Sequence, residues 1–200
     1  MAAEAAEDKP AVPEKVALTD SKVERGRRAL VPPPRLRAKV VRGFGRGSKL
    51  LGFPTANMDV RWDSVSDAGK LAPEEKEVLD FARDCEPGIY YGWAQVATGF
   101  KDRGIYKTAM SVGWNPTFPD VKAKTIEPWI LHDYEGDFYD SELRLIVCGF
   151  VRPEAKFADF NDLIVAIRED GDFCRDALEE EAMKKLAEDP FFVSQDPESA

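Results

Sequence analysis

Residues 43–49 are the segment whose composition points most directly to chemistry. They contain three glycines, and a backbone without Cβ atoms can turn tightly and come close to a ligand. Arg46 and Lys49 put positive charge on this bend, although the formal net charge of the chain is -9. The segment predicts a cradle for the phosphates of an anionic ligand, with a purely structural turn as the alternative. Its glycine spacing matches neither the Walker P-loop nor the Rossmann fingerprint.

Thr55 and Asn57 follow this bend and offer two neutral oxygen ligands. In an extended segment, side chains two residues apart lie on the same face. A magnesium ion that is bound to phosphates keeps several waters and takes few protein ligands. A hydroxyl and an amide carbonyl are therefore sufficient for a metal site here. The alternative is a turn in which these side chains bond only to their own backbone.

Glu127 is a carboxylate within a predicted strand, and alternation places Trp129 and Leu131 on its face. A charged residue among apolar neighbours is unusual in a half-buried strand. Beside a substrate hydroxyl, such a carboxylate can accept a proton as the oxygen attacks phosphorus. The adjacent Pro128 indicates a strand edge or a bulge, and bulges often redirect side chains at functional sites. An exposed strand residue without a catalytic role is the alternative.

Two further positions limit or extend the possible chemistry. His132 is the only histidine, which excludes a multi-histidine metal site and a histidine-based nucleotidyl-transfer motif within this chain. We expect it to pack or to hydrogen-bond rather than to catalyse.

Arg152 ends the last predicted strand, and Phe157 follows it, so the pair could stack on a planar ligand and bond to its carbonyls. A surface ion pair beside a solvated aromatic ring is the alternative.

Composition sets the broad class of the protein. The chain has 200 residues, of which 44% are hydrophobic and 32% charged, which suits one domain with tails. It has no apolar run near the roughly 20 residues that a membrane span requires. Three widely spaced cysteines without a paired motif predict a reducing, cytoplasmic location. The sequence pI of about 4.8 argues against nucleic acid as a partner.

Alternation of apolar and polar residues predicts strands over 37–42, 89–98, 105–112, 125–132 and 143–151. Turn residues separate the last four, which indicates antiparallel connections in a sandwich or a closed barrel. We interpret residues 61–87 as an insertion, with a loop over 63–69 and then a helix that begins at Pro73.

The ends of the chain follow other patterns. Helical spacing predicts one helix after a cap at Asp159, with Phe160, Leu163, Ile164 and Ile167 on its apolar face, and a second helix over 172–187. We expect residues 1–30 to be disordered, residues 31–188 to form the domain, and residues 189–200 to be a tail.

Several sequence blocks occur together in one order. They are residues 43–49, 52–57, 88–92, 111–116, Glu127 with His132, 137–139, and 152–154 with Phe157. This order resembles the riboflavin kinase (flavokinase) family in its single-function eukaryotic form, over about residues 37–178. Two positions depart from the pattern of many relatives, because Trp129 stands where they have histidine and Ala155 where lysine is common.

The resemblance implies an all-β core: a small closed Greek-key antiparallel barrel of about six strands, with C-terminal helices and the helical insertion. It implies transfer of the γ-phosphoryl group of ATP to the riboflavin 5′-hydroxyl, giving FMN and ADP, with Mg²⁺, Zn²⁺ or Mn²⁺ as the metal. The residues it assigns are Glu127 as catalytic base, Thr55 and Asn57 at the metal, Gly43, Lys49, Ile130, His132 and Tyr139 at ATP, and Arg152 and Phe157 at the flavin.

Two other functions remain open from the sequence. One is a barrel that binds flavin or nucleotide without catalysis, and the other is an FMN-dependent oxidoreductase on a split barrel. The metal-ligand pair beside a phosphate-binding bend favours the kinase. We expect the protein to act as a monomer, with no nucleic acid partner and no membrane span.

Overall fold

The computed structural model of the protein describes residues 16–17, 23–43, 52–114 and 123–193. The strands within these ranges are β1 (Val16–Ala17), β2 (Arg28–Ala29), β3 (Arg35–Val41), β4 (Asn57–Met58), β5 (Gly88–Val96), β6 (Ile105–Trp114), β7 (Lys124–Ile130), β8 (Glu142–Pro153) and β9 (Ala155–Lys156). The α-helices are α1 (Pro73–Asp84), α2 (Phe160–Ala177) and α3 (Glu181–Lys184), with 3₁₀ helices at Trp62–Lys70, Lys185–Glu188 and Pro190–Phe192.

The main sheet is antiparallel and has the order β4-β3-β8-β5-β6-β7. Strands β5, β6 and β7 form a meander, and β8 returns to pair with β5, which is the Greek-key arrangement. The Ala56 N–H donates a hydrogen bond of 2.9 Å to the Pro128 carbonyl, and this bond joins the β4 end of the sheet to β7. The sheet is therefore a nearly closed barrel, as predicted.

The interior of the barrel is filled by alternate residues of its strands. Leu36, Met110, Ile126 and Leu145 are among the largest side chains that are fully buried there. Helix α1 packs against β3 and β7 and adds apolar side chains of its own to this core. The predicted insertion thus completes the barrel core, and its first part is a 3₁₀ helix rather than the predicted loop.

A second core lies between the outer face of the barrel and the C-terminal helices. Tyr91, Ile146 and Cys148 project from the barrel wall against Cys174 and Leu178. Because β8 has the barrel interior on one face and this second core on the other, nearly all of its residues are buried. No helix in the described part of the chain is long and apolar enough to cross a bilayer.

The prediction that the domain begins at residue 31, after a disordered extension, is wrong for residues 23–30. Strand β3 pairs with β8 only from Glu142 to Ile146, and β2 continues the same edge opposite Gly149 and Phe150. The Gly26 N–H donates to the Val151 carbonyl at 2.8 Å. These residues are ordered because the long strand β8 offers backbone partners that their own composition does not reveal.

The C-terminal boundary at residue 188 also comes too early. The side chain of Phe192 is 3% exposed, and Asp189 forms an ion pair with Arg35 at 2.6 Å. The buried Arg144 guanidinium donates to the Phe192 carbonyl at 3.2 Å. The domain therefore extends at least to residue 193.

Helix α2 is one continuous helix up to Ala177, so the predicted second helix over 172–187 is wrong. The predicted cap is confirmed, since the Asp159 side chain accepts a hydrogen bond from the Asn161 N–H at 2.6 Å. Gly171 does not interrupt the helix. A Cβ atom at this position would lie 2.5 Å from the Trp129 ring, so glycine lets the helix approach the barrel closely.

The exposed and buried faces of α2 also differ from the prediction. Phe160 is 59% exposed, whereas Ala166, Asp170, Cys174 and Ala177 are buried against the barrel. The small residues of this face, such as Ala166 and Ala177, let the helix pack closely on the sheet. The larger apolar residues at the start of α2 remain partly exposed.

Lys124 ties the end of α1 to β7. Its side chain is 4% exposed, and its ammonium group donates to the carbonyls of Arg83 at 3.0 Å and Cys85 at 2.5 Å. The last carbonyls of a helix lack partners within the helix and attract cations. Lys124 is thus a buried cap for α1.

We expect the substitution Lys124→Met to lower the free energy of unfolding by about 2 kcal/mol, because the two carbonyls at the end of α1 lose a buried charged donor. Urea denaturation monitored by tryptophan fluorescence measures this change. Lys76→Met is the matched control, since Lys76 lies on the exposed side of α1 and pairs with Asp80, and exposed pairs contribute at most about 1 kcal/mol. Equal losses in the two variants would contradict the capping role.

Candidate active site

Gly43, Thr55 and Asn57 meet at one edge of the barrel. Thr55 and Asn57 are half-buried, while Ala56 and Met58 between and beyond them are buried in the core. The predicted alternation is therefore confirmed, and the hydroxyl and the carboxamide share the outer face. A Cβ atom at residue 43 would lie 2.4 Å from Asn57 Nδ2, so only glycine lets the backbone pass this close to the carboxamide.

Glu127 lies on the neighbouring strand β7. Thr125, Glu127 and Trp129 are half-buried on the outer face, and Ile126 and Pro128 are buried in the barrel. This agrees with the period-two prediction for the strand. The Thr125 hydroxyl donates a hydrogen bond of 2.8 Å to Glu127 Oε1, which holds the carboxylate in one orientation.

The hydrogen bond from the Ala56 N–H to the Pro128 carbonyl brings these two groups together. Ala56 is flanked by Thr55 and Asn57, and Pro128 follows Glu127, so the outer-face residues of the two segments are neighbours. Phe53 and Trp129 pack edge to face beside them, with ring centroids 5.0 Å apart. The metal candidates and the candidate base, far apart in the chain, occupy adjacent positions on one surface.

Thr125 and Glu154 also lie at this surface, although the sequence patterns assign neither of them a role. Thr125 had a usable signal, since it lies two residues before Glu127 and therefore on its face. Glu154 was part of a recognised block but received no role. Its carboxylate oxygen Oε1 lies 2.3 Å from the position of a Cβ atom at Gly113, and Gly113 is the strand partner of Thr125. Glu154 therefore reaches over β6 toward the surface that carries Glu127.

Arg152 lies in a buried ion pair rather than at the surface. Its side chain and that of Asp170 are each 4% exposed, and the guanidinium donates to both carboxylate oxygens, with Nη2 to Oδ2 at 2.5 Å and Nε to Oδ1 at 2.9 Å. The surface ion pair that was the alternative is thus wrong. Phe157 is half-buried in the connection between β9 and α2, close in the chain to the exposed ring of Phe160. A direct contact of Arg152 with flavin stays a prediction.

The residues assigned to the nucleotide side occupy three different environments. Ile130 is 4% exposed and belongs to the interior core of the barrel. His132 stacks on Tyr106 with ring centroids 3.7 Å apart, and its Nε2 lies 2.8 Å from Asp102 Oδ2. Tyr139 is 40% exposed, so of these three residues it is the most accessible to a ligand.

Tyr139 also lies at the start of the glycine-rich bend. The guanidinium carbon of Arg42 is 4.6 Å from the centroid of the Tyr139 ring, and Gly43 follows Arg42 directly. His132 connects to this region through aromatic contacts, first with Tyr134 and then from Tyr134 to Phe138. Lys49 and the rest of the bend lie outside the described residues.

Asp102 anchors the histidine. The Gly104 N–H and the side chains of Tyr106 and His132 hydrogen-bond to its carboxylate, and they hold the pKa of Asp102 below its ordinary value. The carboxylate therefore stays charged and orients the imidazole. This arrangement supports a packing and hydrogen-bonding role for His132, as expected for a lone histidine.

The oxygen groups of Thr55 and Asn57 at the barrel edge suit a cation that is already bound to an anionic ligand. Among the described residues, no group of three or more His, Cys, Asp or Glu side chains could hold a metal ion. Thr55 and Asn57 are neutral, and Mg²⁺ bound to phosphates needs few protein ligands. The residues present therefore fit a divalent cation whose charge is balanced by the phosphates of a ligand.

Known proteins share these features. The family model described as Flavokinase, riboflavin kinase, matches residues 30–178. The chain is 39% identical to riboflavin kinase of Mus musculus over 156 residues, which cover 78% of this chain and 88% of that protein. It is 42% identical over 163 residues to the bifunctional riboflavin kinase/FMN phosphatase of Arabidopsis thaliana, covering 82% of this chain but spanning only 38% of that protein's length.

The fold is similar to a solved structure as well. The crystal structure of riboflavin kinase from Trypanosoma brucei superposes with a TM-score of 0.61 at 28% sequence identity, covering 82% of this chain and 89% of that one. The match of the family model over most of the chain agrees with the barrel. The chain belongs to the riboflavin kinase family.

Proposed function

We propose that this chain transfers the γ-phosphoryl group of ATP to the 5′-hydroxyl of riboflavin and so produces FMN and ADP. The observation that carries the proposal is the backbone hydrogen bond between Ala56 and Pro128, because it joins the segment of Thr55 and Asn57 to the strand of Glu127. A flavin-binding barrel without catalysis has no need of this combination.

Phosphoryl transfer depends mainly on alignment and on neutralisation of charge. Thr55 and Asn57 would hold a divalent cation, Mg²⁺, Zn²⁺ or Mn²⁺, which when bound offsets the negative charge of the ATP phosphates. The backbone at Gly43 passes close to the Asn57 carboxamide, and the family resemblance assigns Gly43 and Tyr139 to ATP. Lys49 is assigned to ATP by the family resemblance.

Glu127 would act as the general base. As the riboflavin 5′-oxygen forms its bond to the γ-phosphorus, the bond from that phosphorus to the β–γ bridging oxygen breaks, and ADP leaves with the electron pair. The proton of the hydroxyl passes to the Glu127 carboxylate. Thr125 donates to Oε1, which orients the carboxylate so that Oε2 can take the proton.

The flavin ring requires a planar and largely apolar surface. Phe157 and the start of α2, where Phe160, Leu163 and Ile164 are partly exposed, would provide such apolar groups. Glu154 reaches over β6 toward the surface that carries Glu127. Arg152 supports this side through its ion pair with Asp170.

Incubation of the protein with riboflavin, ATP and Mg²⁺, followed by chromatography, tests the proposed reaction directly. We expect equal amounts of FMN and ADP. Stoichiometric flavin binding without product would favour the binding barrel. A protein that retains FMN on purification and consumes no ATP would favour the split-barrel oxidoreductase.

We expect Glu127→Gln to lower kcat by about 10²-fold or more, which is the usual effect of removing a general base, while ATP binding persists. Steady-state kinetics and isothermal titration with ATP measure the two quantities. Glu74→Gln is the control, because Glu74 is exposed on α1. Near-normal kcat in Glu127→Gln would refute the role of Glu127.

We expect Thr55→Ala to lower activity and to shift the Mg²⁺ dependence toward higher concentration, so that excess Mg²⁺ partly restores turnover. The reason is that loss of one of two protein ligands weakens cation binding. A magnesium titration at saturating ATP measures the shift, with Ser66→Ala on the exposed 3₁₀ helix as the control. The same fractional loss at every Mg²⁺ concentration would argue against metal contact.

A further inference from the structure

The N-terminal arm, defined here as residues 23–29, precedes the region that the family model matches, which begins at residue 30. It nevertheless packs on the matched domain. Strand β2 pairs with β8 opposite Gly149 and Phe150, and the Gly26 N–H donates to the Val151 carbonyl. The arm therefore follows β8 toward the end of that strand where Arg152 lies.

The side chain of Arg25 connects the arm to helix α2. Its Nε donates to Asp170 Oδ1 at 2.8 Å, and its Nη2 donates to the Ala166 carbonyl at 3.1 Å. Its Nη1 lies 3.1 Å from Glu169 Oε2 and donates to the Val23 carbonyl at the same distance. The planar guanidinium thus contacts two successive turns of the helix and its own backbone, with 13% of the side chain exposed.

Asp170 is shared between two arginines on different elements. Arg152 approaches it from the end of β8 and Arg25 from the arm. Since both Asp170 and Arg152 are almost fully buried, the three side chains join the arm, β8 and α2 at one point. Loss of Arg25 would leave Asp170 paired with Arg152, so the helix would be loosened without leaving an unpaired buried charge.

The cluster of Arg25, Arg152 and Asp170 lies next to the short connection between β8 and α2. Residues 154–159 link β8 to α2, and they carry Glu154 and Phe157. The cluster fixes the end of β8 relative to α2, and so it fixes both ends of the connection. The backbone of β1 also pairs in parallel with β9 inside it, which is a second contact between the N-terminal region and the same connection.

We propose that Arg25 is a positioning residue for the flavin side of the site. Through Asp170 and the Ala166 carbonyl it holds α2 against β8, and thereby it holds Phe157 and the exposed start of α2 in the arrangement that receives the flavin ring. The proposal rests on the proposed function, because it assigns the 154–159 connection to riboflavin. Arg25 contacts the side chains of Asp170 and Glu169 and the backbone of Ala166 and Val23. None of these four residues is assigned to ATP or to the metal, so we expect the KM for ATP to be unchanged.

Arg27 provides a matched control within the same arm. It forms ion pairs with Asp176, in the last turn of α2, and with Glu180, which follows that helix, and its side chain is 38% exposed. Replacing it removes the same charge from the same arm and releases contacts to the same helix. It does not touch the junction with Arg152, so a purely structural effect of the arm would appear in both variants.

The experiment compares Arg25→Gln, Arg25→Lys and Arg27→Gln with the unaltered protein in FMN formation, and it measures riboflavin binding separately by quenching of flavin fluorescence. We expect Arg25→Gln to raise the KM and the Kd for riboflavin about fivefold or more, with the KM for ATP unchanged. Arg25→Lys should recover part of the loss, and Arg27→Gln should match the unaltered protein. Thermal melting of each variant reports its folding.

Equal riboflavin binding in Arg25→Gln and Arg27→Gln would overturn the proposal, and so would a parallel rise in the KM values for riboflavin and ATP. If Arg25→Gln does not fold, Arg25→Lys decides the matter, since it keeps the charge but loses the forked contact to the Ala166 carbonyl. Unchanged riboflavin affinity in Arg25→Lys would then refute the positioning role. Failure of the unaltered protein to form FMN would instead refute the proposed function, and the fluorescence measurement would still test Arg25.

Discussion

The contact between the Phe53–Met58 region and β7 is the constraint on which the rest of the structure depends. Strand β7 would otherwise be a free edge, and Pro128 within it has no N–H to donate. Its carbonyl accepts the Ala56 N–H, and Ala56 and Pro128 both turn their side chains into the core. The same bond that closes the barrel therefore brings the Thr55 and Asn57 side chains close to the strand that carries Glu127.

Strand β8 organises the opposite part of the site. It pairs with β5 along its whole length and with β3 and β2 along its other edge. Its two faces contribute to two separate cores, so it has little freedom to move. Arg152, at the end of β8, fixes α2 against this strand through its ion pair with Asp170. The connection that carries Phe157 thus begins and ends on fixed elements, although it is itself short and irregular.

Much of the fold could be predicted because it rests on local periodicity. The sequence predicts the five long strands from their β-forming composition and turn residues, and alternation correctly places Thr55 with Asn57 and Glu127 with Trp129 on one face each. The errors came from contacts over long chain separations. The sequence predicts a second helix from residue 172, yet α2 continues past Gly171, where it packs on Trp129. Residues 23–29 are expected to be disordered, yet β8 and Asp170 supply their partners.

The sequence by itself determined the chemical groups at this site and the face of each strand on which they lie, because residue identity and the two-residue period are local properties. It also carried the ordered blocks that identify the family. Only the tertiary structure decided which groups become neighbours: Asn57 with Gly43, Thr125 with Glu127, and Arg152 with Asp170 rather than with solvent. Those pairings depend on strand register and barrel closure, which sum many weak backbone and packing contacts between residues distant in the chain.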